Sequence, residues 1–330
     1  VLPPAVWSLA WAAPYAPVAA LAGAAALAAT RRAAGTHRAT ATQRGAGVAA
    51  DFWRFTAPRA VAGTLQIALQ RVDVLLVAAL AGPAAAAIYT VAGRFLVLGQ
   101  LVNQSIGDAV APRLAERLSL GDRAGAGLLY RTATGWLVLA TWPLYLLALV
   151  HAPWYLGLFG QPYRQGAPIV AVLAATMLLA SACGPVDLLL TMAGRTGWNL
   201  GNVSLALAVM VGLDLLLVPG LGGLGAALGL AAAITVKNLL PLLQVGLALR
   251  LHPFGRGTLA AAVLATGCFG ALPAAVTALA GTGPAAVVVA LGLAVTGYLT
   301  GARRLAGTLA LPALPRPPPA RRGGGPPPPP

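Results

Sequence analysis

Residues 71–94 read RVDVLLVAALAGPAAAAIYTVAGR, and this stretch predicts the centre of a helical hairpin. Gly82-Pro83 separates two apolar runs, because proline lacks the amide hydrogen that a continuing helix needs. The runs extend over residues 57–80 and 88–111. Each is long enough to cross the ~30 Å hydrocarbon layer of a bilayer, which takes about 20 residues. The stretch from Phe55 to Arg113 therefore predicts two membrane-spanning helices joined by a tight turn.

Both arms of this hairpin carry polar side chains on one face. These are Gln66, Gln70 and Asp73 in the first arm, and Arg94, Asp108 and the bordering Gln104 in the second. Asp73 and Arg94 lie at similar distances from the turn, so the sequence predicts an ion pair between them. Ionisable groups at bilayer depth are costly and normally face a partner or a wet cavity. Two interpretations stay open: the pair only holds the hairpin together, or this face lines a polar cavity.

The composition predicts an all-α polytopic transmembrane helix bundle. Of the 330 residues, 58% are hydrophobic and 9% are charged, whereas about a quarter of a soluble domain is charged. Further apolar runs cover residues 6–29, 126–150, 167–192, 199–218, 224–249, 258–280 and 284–302. Together with the hairpin they predict about nine spans, each near the length that a bilayer requires.

The net charge of +15 would indicate nucleic acid in a soluble protein. Here most of the 22 lysines and arginines fall in loops on one side of the predicted membrane, the side that includes residues 30–54. Bacterial inner-membrane proteins place such loops in the cytoplasm, where they face anionic membrane lipids. The sequence thus predicts a multi-pass inner-membrane protein with no nucleic-acid partner.

No motif indicates an enzyme, a cofactor or a metal site. GLGGLG at residues 220–225 matches G-x-G-x-x-G, but no acidic residue follows Asp214, and a dinucleotide site needs one about 20 residues further on. Cys183 and Cys268 lie in apolar runs without metal-ligand spacing, and we interpret them as buried apolar side chains. The expectation is a protein without cofactor or metal.

Three more charges fall within predicted spans. Asp187 follows Gly184-Pro185, a predicted kink, and lies at a depth similar to that of Lys237, which predicts a structural pair. Asp214 lies near the other membrane face and is interpreted as a helix cap. The functional alternative assigns anionic-substrate binding to basic residues and ion coupling to acids. The substrate-binding candidates are then Arg71, Arg94, Lys237, Gln66, Gln70 and Gln104, and the ion-coupling candidates are Asp73, Asp187 and Asp108.

Four segments carry a resemblance to a known family. They are RVDVLLVAALAGP at 71–83 with Ile88-Tyr89 and Arg94; APRLAE at 111–116 before Gly121-Asp122; Gly184-Pro185 with LLL at 188–190 and Gly194-Arg195; and 199–217 followed by Pro219 and GAA at 225–227. In order and spacing they resemble polysaccharide biosynthesis proteins of the multidrug/oligosaccharidyl-lipid/polysaccharide exporter superfamily. The resemblance covers roughly residues 52–250.

This resemblance implies a flippase of two six-helix lobes around a central cavity, which moves a lipid-linked oligosaccharide to the outer leaflet. It implies glycosyltransferases and a polymerase of the same pathway as partners. Asp73 and Arg94 fall on the family's acid and base, and Asp214 stands where asparagine is commoner. The chain would be the C-terminal portion of such a protein. Its parts would be a last first-lobe helix (1–30), a basic linker (31–54), the second lobe (55–250), a trailing helix pair (251–305) and a Pro/Arg-rich cytoplasmic tail (306–330).

Two alternatives to the flippase stay open. One is a multidrug/cation antiporter of the same superfamily, in which acids rather than arginines would control transport. The other is a non-transporting membrane scaffold in a polysaccharide-assembly complex, which would dock through the Pro/Arg-rich tail.

Overall fold

The computed structural model describes residues 45–308 except Thr282, and side chains from Thr56 onward apart from those of Pro58 and Pro284. The predicted span at 6–29, the linker before Gly45 and the tail after residue 308 lie outside the described residues. The chain divides into two compact units, residues 1–57 and 58–330. The packing described below is that of the second unit.

All regular structure in the described range is helical. The α-helices are α1 (Gly45–Leu69), α2 (Val72–Leu80), α3 (Pro83–Ala92), α4 (Arg94–Ser119), α5 (Arg123–Val150), α6 (Ala152–Gly157), α7 (Ala167–Ala182), α8 (Val186–Met192), α9 (Thr196–Leu221), α10 (Gly223–Leu249), α11 (Arg256–Ala265), α12 (Leu272–Ala280) and α13 (Pro284–Arg304). A 3₁₀ helix covers Gln161–Gly166, and a π-helical turn at Thr266–Ala271 joins α11 to α12.

Within the described residues, seven helical segments are long and apolar enough to span a membrane, or eight if the bent pair α3–α4 is one span. They match, within a few residues at most ends, the eight spans that the sequence predicts beyond residue 55. The prediction of an all-α polytopic membrane bundle is confirmed. The helix α1 begins at Gly45, inside the stretch that the sequence interpretation assigns to the linker. Residues 46–57 include four alanines and no proline, which is compatible with a helix even though Gly47 is a poor helix former.

The hairpin forms, but neither of its arms is continuous. Gly82 adopts φ 89° and Pro83 begins α3, as the predicted turn requires. The first arm breaks at residues 70–71, between α1 and α2. The second bends by 43° at Gly93, between α3 and α4, where glycine lowers the cost of leaving helical geometry. Each arm therefore consists of two rigid pieces.

A third break confirms the predicted kink at Gly184-Pro185, which separates α7 from α8. Gly184 has φ 70°, and a side chain there would collide with Thr134 of α5. The Tyr130 hydroxyl donates a 2.6 Å hydrogen bond to the Cys183 carbonyl, a backbone acceptor at the break. The kink is thus fixed by α5 rather than left free.

Two apolar clusters hold the lobe together. The larger joins α2, α3, α5, α7, α9 and α10 around Tyr89, Leu173 and Met210. The second lies where α4, α5, α8 and α10 meet, around Leu114 and Leu190. The trailing helices pack on α5, and Phe269 contacts Tyr298 edge to face at 5.1 Å. A polar cavity lies beside the larger cluster.

Candidate functional site

A cavity of about 700 Å³ opens among α1–α5, α7, α8 and α10. All nine side chains that the sequence singled out line it: Gln66, Gln70, Arg71, Asp73, Arg94, Gln104, Asp108, Asp187 and Lys237. The candidate residues predicted from the sequence therefore lie around one cavity. Their roles in binding or ion coupling stay predictions.

The lining is unusually rich in neutral hydrogen-bonding groups for a bundle this apolar. Six side-chain amides line it, together with five hydroxyls: Gln66, Gln70, Gln100, Asn103, Gln104, Asn238, Tyr89, Thr90, Thr141, Tyr145 and Ser181. Each amide can donate and accept hydrogen bonds at once, as a sugar hydroxyl does. The cavity therefore offers matching partners to a ligand with many hydroxyl groups.

Asp73 is 4% exposed and does not pair with Arg94, so the predicted ion pair is wrong. Instead, the Tyr89 hydroxyl donates a 2.7 Å hydrogen bond to Oδ2 of Asp73, and the Val74 amide donates one of 2.7 Å to Oδ1. Tyr89 lies closer to the turn than Arg94 does. The bend at Gly93 changes the direction of the helix before Arg94 begins α4. A neutral donor consequently takes the place that the sequence assigned to a cation.

Arg71 and Arg94 are both exposed to the cavity, and neither makes an ion pair within the described residues. Arg71 lies at the break between α1 and α2, and Arg94 at the break between α3 and α4. The Tyr155 hydroxyl donates a 2.7 Å hydrogen bond to the Val91 carbonyl beside the second break. Burial raises the pKa of Tyr155, and the positive charge of Arg94 opposes that shift. Arg94 thus lies near the point where α6 braces the bend.

Lys237 of α10 and Asp187 of α8 form the predicted pair, with Nζ 2.8 Å from Oδ2. Their side chains are 19% and 32% exposed, and Oδ1 of Asp187 is buried without a hydrogen-bond partner. Asp108 of α4, by contrast, is exposed and makes no ion pair in the described range. The cavity therefore holds one neutralised acid–base pair and one free carboxylate.

Asp214 is the residue that sequence reasoning placed wrongly. It is 0% exposed in the middle of the bundle rather than capping a helix, and neither carboxylate oxygen has a hydrogen-bond partner. A side chain at Gly229 of α10 would collide with its Oδ1. Asp73 and Tyr89 lie within electrostatic range. The sequence did contain an indication of this position: a lone acidic residue inside an apolar span is rare, and such a residue more often has a function than caps a helix.

No group of three or more histidine, cysteine, aspartate or glutamate side chains that could hold a metal occurs within residues 45–308 as described. A ligand of this cavity would instead meet arginine, lysine, amide and hydroxyl groups. The planar guanidinium group favours oxyanions such as carboxylate and phosphate, because it offers paired donors in a fixed geometry.

A polytopic bundle of broken helices around a polar, charge-lined cavity is typical of membrane transport proteins. The MatE family model matches residues 58–220, which include Asp73, Arg94, Asp187 and Asp214. This match supports the multidrug/oligosaccharidyl-lipid/polysaccharide exporter superfamily and indicates a multi-pass membrane transporter, from a family of transporters rather than enzymes. No curated protein and no solved structure matches the chain.

Proposed function

We propose that this chain supplies one lobe of an exporter that moves a lipid-linked oligosaccharide across the bacterial inner membrane by alternating access. The main observation in support is that two arginines without an ion pair and six side-chain amides line the same cavity. The arginines would bind the diphosphate that links lipid and sugar, and the amides would bind the sugar hydroxyls. The pathway's glycosyltransferases and polymerase would deliver and receive that substrate.

The exposure of the charged groups in the cavity, rather than their net charge, favours an anionic over a cationic ligand. It holds three basic groups, Arg71, Arg94 and Lys237, and three carboxylates. Lys237 neutralises Asp187, and Tyr89 stabilises Asp73 with a hydrogen bond. Asp73 keeps its place in the wall and is buried, so the exposed charged groups without an ion pair are two guanidinium groups and one carboxylate, that of Asp108.

Ion coupling is assigned in this proposal to Asp73, with Asp187 and Asp108 as further candidates. Asp73 lies at the cavity wall, and Asp214 lies behind it on α9, which packs against α2. A carboxyl group buried without a partner, as Asp214 is, is stable only when it carries a proton or binds a cation. The two acids would therefore exchange a proton or cation with the cavity as the lobe changes conformation.

The test compares Arg94→Gln and Arg71→Gln with Arg303→Gln, an exposed arginine outside the cavity. Each variant is reconstituted in liposomes with a fluorescent lipid-linked oligosaccharide, and externally added reductant reports the fraction that has crossed. Arg94→Gln is expected to lower the rate at least tenfold, because it removes a charge-assisted hydrogen bond worth about 1.5–3 kcal/mol. Wild-type flipping by both cavity variants, at equal membrane insertion, would refute the proposal.

A multidrug/cation antiporter is the second candidate, and the free carboxylate of Asp108 favours it. It predicts that Asp108→Asn abolishes efflux of a cationic dye while Arg94→Gln leaves efflux intact. The flippase predicts the opposite order of sensitivity for transport of the anionic lipid. Running both variants in both assays therefore distinguishes the two functions.

A further inference from the structure

A second depression, separate from the cavity, lies where α4, α8 and α10 end and α5 begins. It encloses about 190 Å³ and is lined by Leu118, Gly121, Arg123, Ala193, Leu249 and Leu251. At about 30 Å³ for each water in the liquid, this volume accommodates a small polar headgroup but no protein segment. We call it the helix-end crevice.

Three arginines line this crevice or lie near its lining residues in the sequence. Arg123 lines it directly, and Arg250 lies between the lining residues Leu249 and Leu251. Arg195 follows the lining residue Ala193 by two positions, and its guanidinium stacks over Trp198 at 4.2 Å from the ring centre. No ion pair within the described residues engages these three arginines. Two carboxylates lie near the lining residues in the sequence: Asp122, which pairs with Arg117, and the exposed Glu116.

The backbone at Arg250 adds an independent observation. Arg250 has φ 55°, and it is the only non-glycine residue of the described range with a positive φ. The left-handed conformation that ends a helix usually falls to glycine, because a Cβ is strained there. The fold thus places an arginine where a glycine would adopt the backbone more easily, between two residues that line the crevice.

The surrounding helix surface is apolar. Leu120, just after α4, Leu128 on α5 and Leu247 on α10 lie a few residues from lining residues and are 73%, 65% and 85% exposed. Leucines at this exposure on a spanning helix contact acyl chains, and a cluster of arginines next to them contacts headgroups. A basic pocket between helix ends in such a position binds anionic phospholipid headgroups.

We propose that the helix-end crevice is a binding site for one anionic glycerophospholipid, whose phosphate contacts Arg123 and Arg250 while its acyl chains follow the exposed leucines. The site is distinct from the transport cavity and does not depend on the substrate proposed above. It also joins four helix ends with one ligand, so its occupancy stabilises the lobe.

The experiment measures lipid binding to the purified full chain by native mass spectrometry and by thermal unfolding. Phosphatidylglycerol and phosphatidylcholine with identical acyl chains are the two lipid arms, and inorganic phosphate is the third. We expect one saturable phosphatidylglycerol site whose dissociation constant rises at least fivefold in Arg123→Gln/Arg250→Gln. The matched control Arg256→Gln/Arg303→Gln removes two exposed arginines outside the crevice and should leave the constant unchanged.

Three results would overturn the site. They are an equal loss of binding in the control, equal binding of the two lipids, or stabilisation by inorganic phosphate that matches the lipid. Arg250→Gly guards against a folding defect, because it removes the charge and relieves the backbone strain together. It should unfold at or above the wild-type temperature without lipid and still lose the phosphatidylglycerol shift. A retained shift in Arg250→Gly would remove Arg250 from the site.

Discussion

Replacing Lys237 with methionine tests the role of the Lys237–Asp187 pair in the stability of the lobe. At the observed 2.8 Å, two unit charges attract with about 6 kcal/mol at an effective dielectric constant of about 20, and with about 1.5 kcal/mol in bulk water. The 19% and 32% exposures place the pair between these limits. After the cost of desolvation, we expect a coupling energy of about 1–3 kcal/mol.

The two single replacements should not cost the same. In Lys237→Met, Asp187 stays charged with Oδ1 buried and unpaired and with Oδ2 without its cation. The loss should reach about 2–4 kcal/mol, since an uncompensated buried charge remains. In Asp187→Asn the charge that remains is that of Lys237, whose long side chain can turn toward the wet cavity. The loss should therefore be smaller, and the double variant should be more stable than Lys237→Met.

The assay is a double-mutant cycle on the free energy of unfolding in detergent, followed by helix circular dichroism during denaturant titration. The exposed pair Arg117–Asp122 serves as the matched control, because its side chains are 54% and 33% accessible and exposed pairs couple weakly. A Lys237–Asp187 coupling below about 0.3 kcal/mol, the limit of additivity for independent sites, would refute the reasoning. So would a coupling no larger than that of the control pair.

Three further predictions follow from the geometry. Tyr89→Phe should lower the free energy of unfolding by about 1–3 kcal/mol, because it leaves the buried Asp73 carboxylate without its side-chain donor. The double variant Tyr89→Phe/Asp73→Asn should recover part of that loss in the same unfolding assay. Gly184→Ala should destabilise by more than about 1 kcal/mol, since φ is 70° and a methyl group there would collide with α5; Gly212→Ala, in open space on α9, should be neutral or stabilising in thermal unfolding. Asp122 has a lowered pKa, first because a backbone amide donates to it and then because a guanidinium does. Its contribution to stability is therefore present above about pH 4 and is lost as the pH falls through the lowered value; the stability difference between wild type and Asp122→Asn should shrink on acidification, and a constant difference would contradict the assignment.

Composition and the spacing of apolar runs predicted the bundle and all spans in the described range, because a bilayer leaves the backbone few alternatives to a helix. The kink at Gly184-Pro185 was also predictable, since proline removes a helical hydrogen bond wherever it stands. The pairing of Lys237 with Asp187 was predicted by counting residues along two helices from the predicted loops. Such counting works where the helix between the loop and the charged residue follows the direction that the sequence predicts.

The same counting failed for Asp73 and Arg94 because the second arm bends at Gly93, between the turn and Arg94, while α2 is continuous from Asp73 to the turn. No proline marks the breaks at residues 70–71 and at Gly93, so the pattern of apolar residues runs through them unchanged. Tyr89 carries no charge and lies in an apolar run, so it could be recognised as the donor to Asp73 only from the folded contact. Asp214 was misplaced for a related reason: sequence gives its depth but not which neighbours surround it.

The three breaks also bear on the proposed ligand. Asp73 and Asp187 lie in the first turns of α2 and α8, where the positive end of the helix dipole stabilises a carboxylate. Arg71 precedes α2 and Arg94 begins α4, and there the same dipole disfavours a cation. No residue at the N-cap position caps either helix start through its side chain, although the Val74 amide of α2 donates to Asp73; the guanidinium groups lie beside these helix starts. An anion bound between them would accept hydrogen bonds from both guanidinium groups at once. If Arg94 served only to hold the hairpin, Arg94→Met would lower the unfolding temperature without ligand and would keep the stabilisation that inorganic pyrophosphate gives. If it binds the diphosphate, the same variant should be at least as stable alone and should lose the stabilisation that inorganic pyrophosphate gives to the wild type.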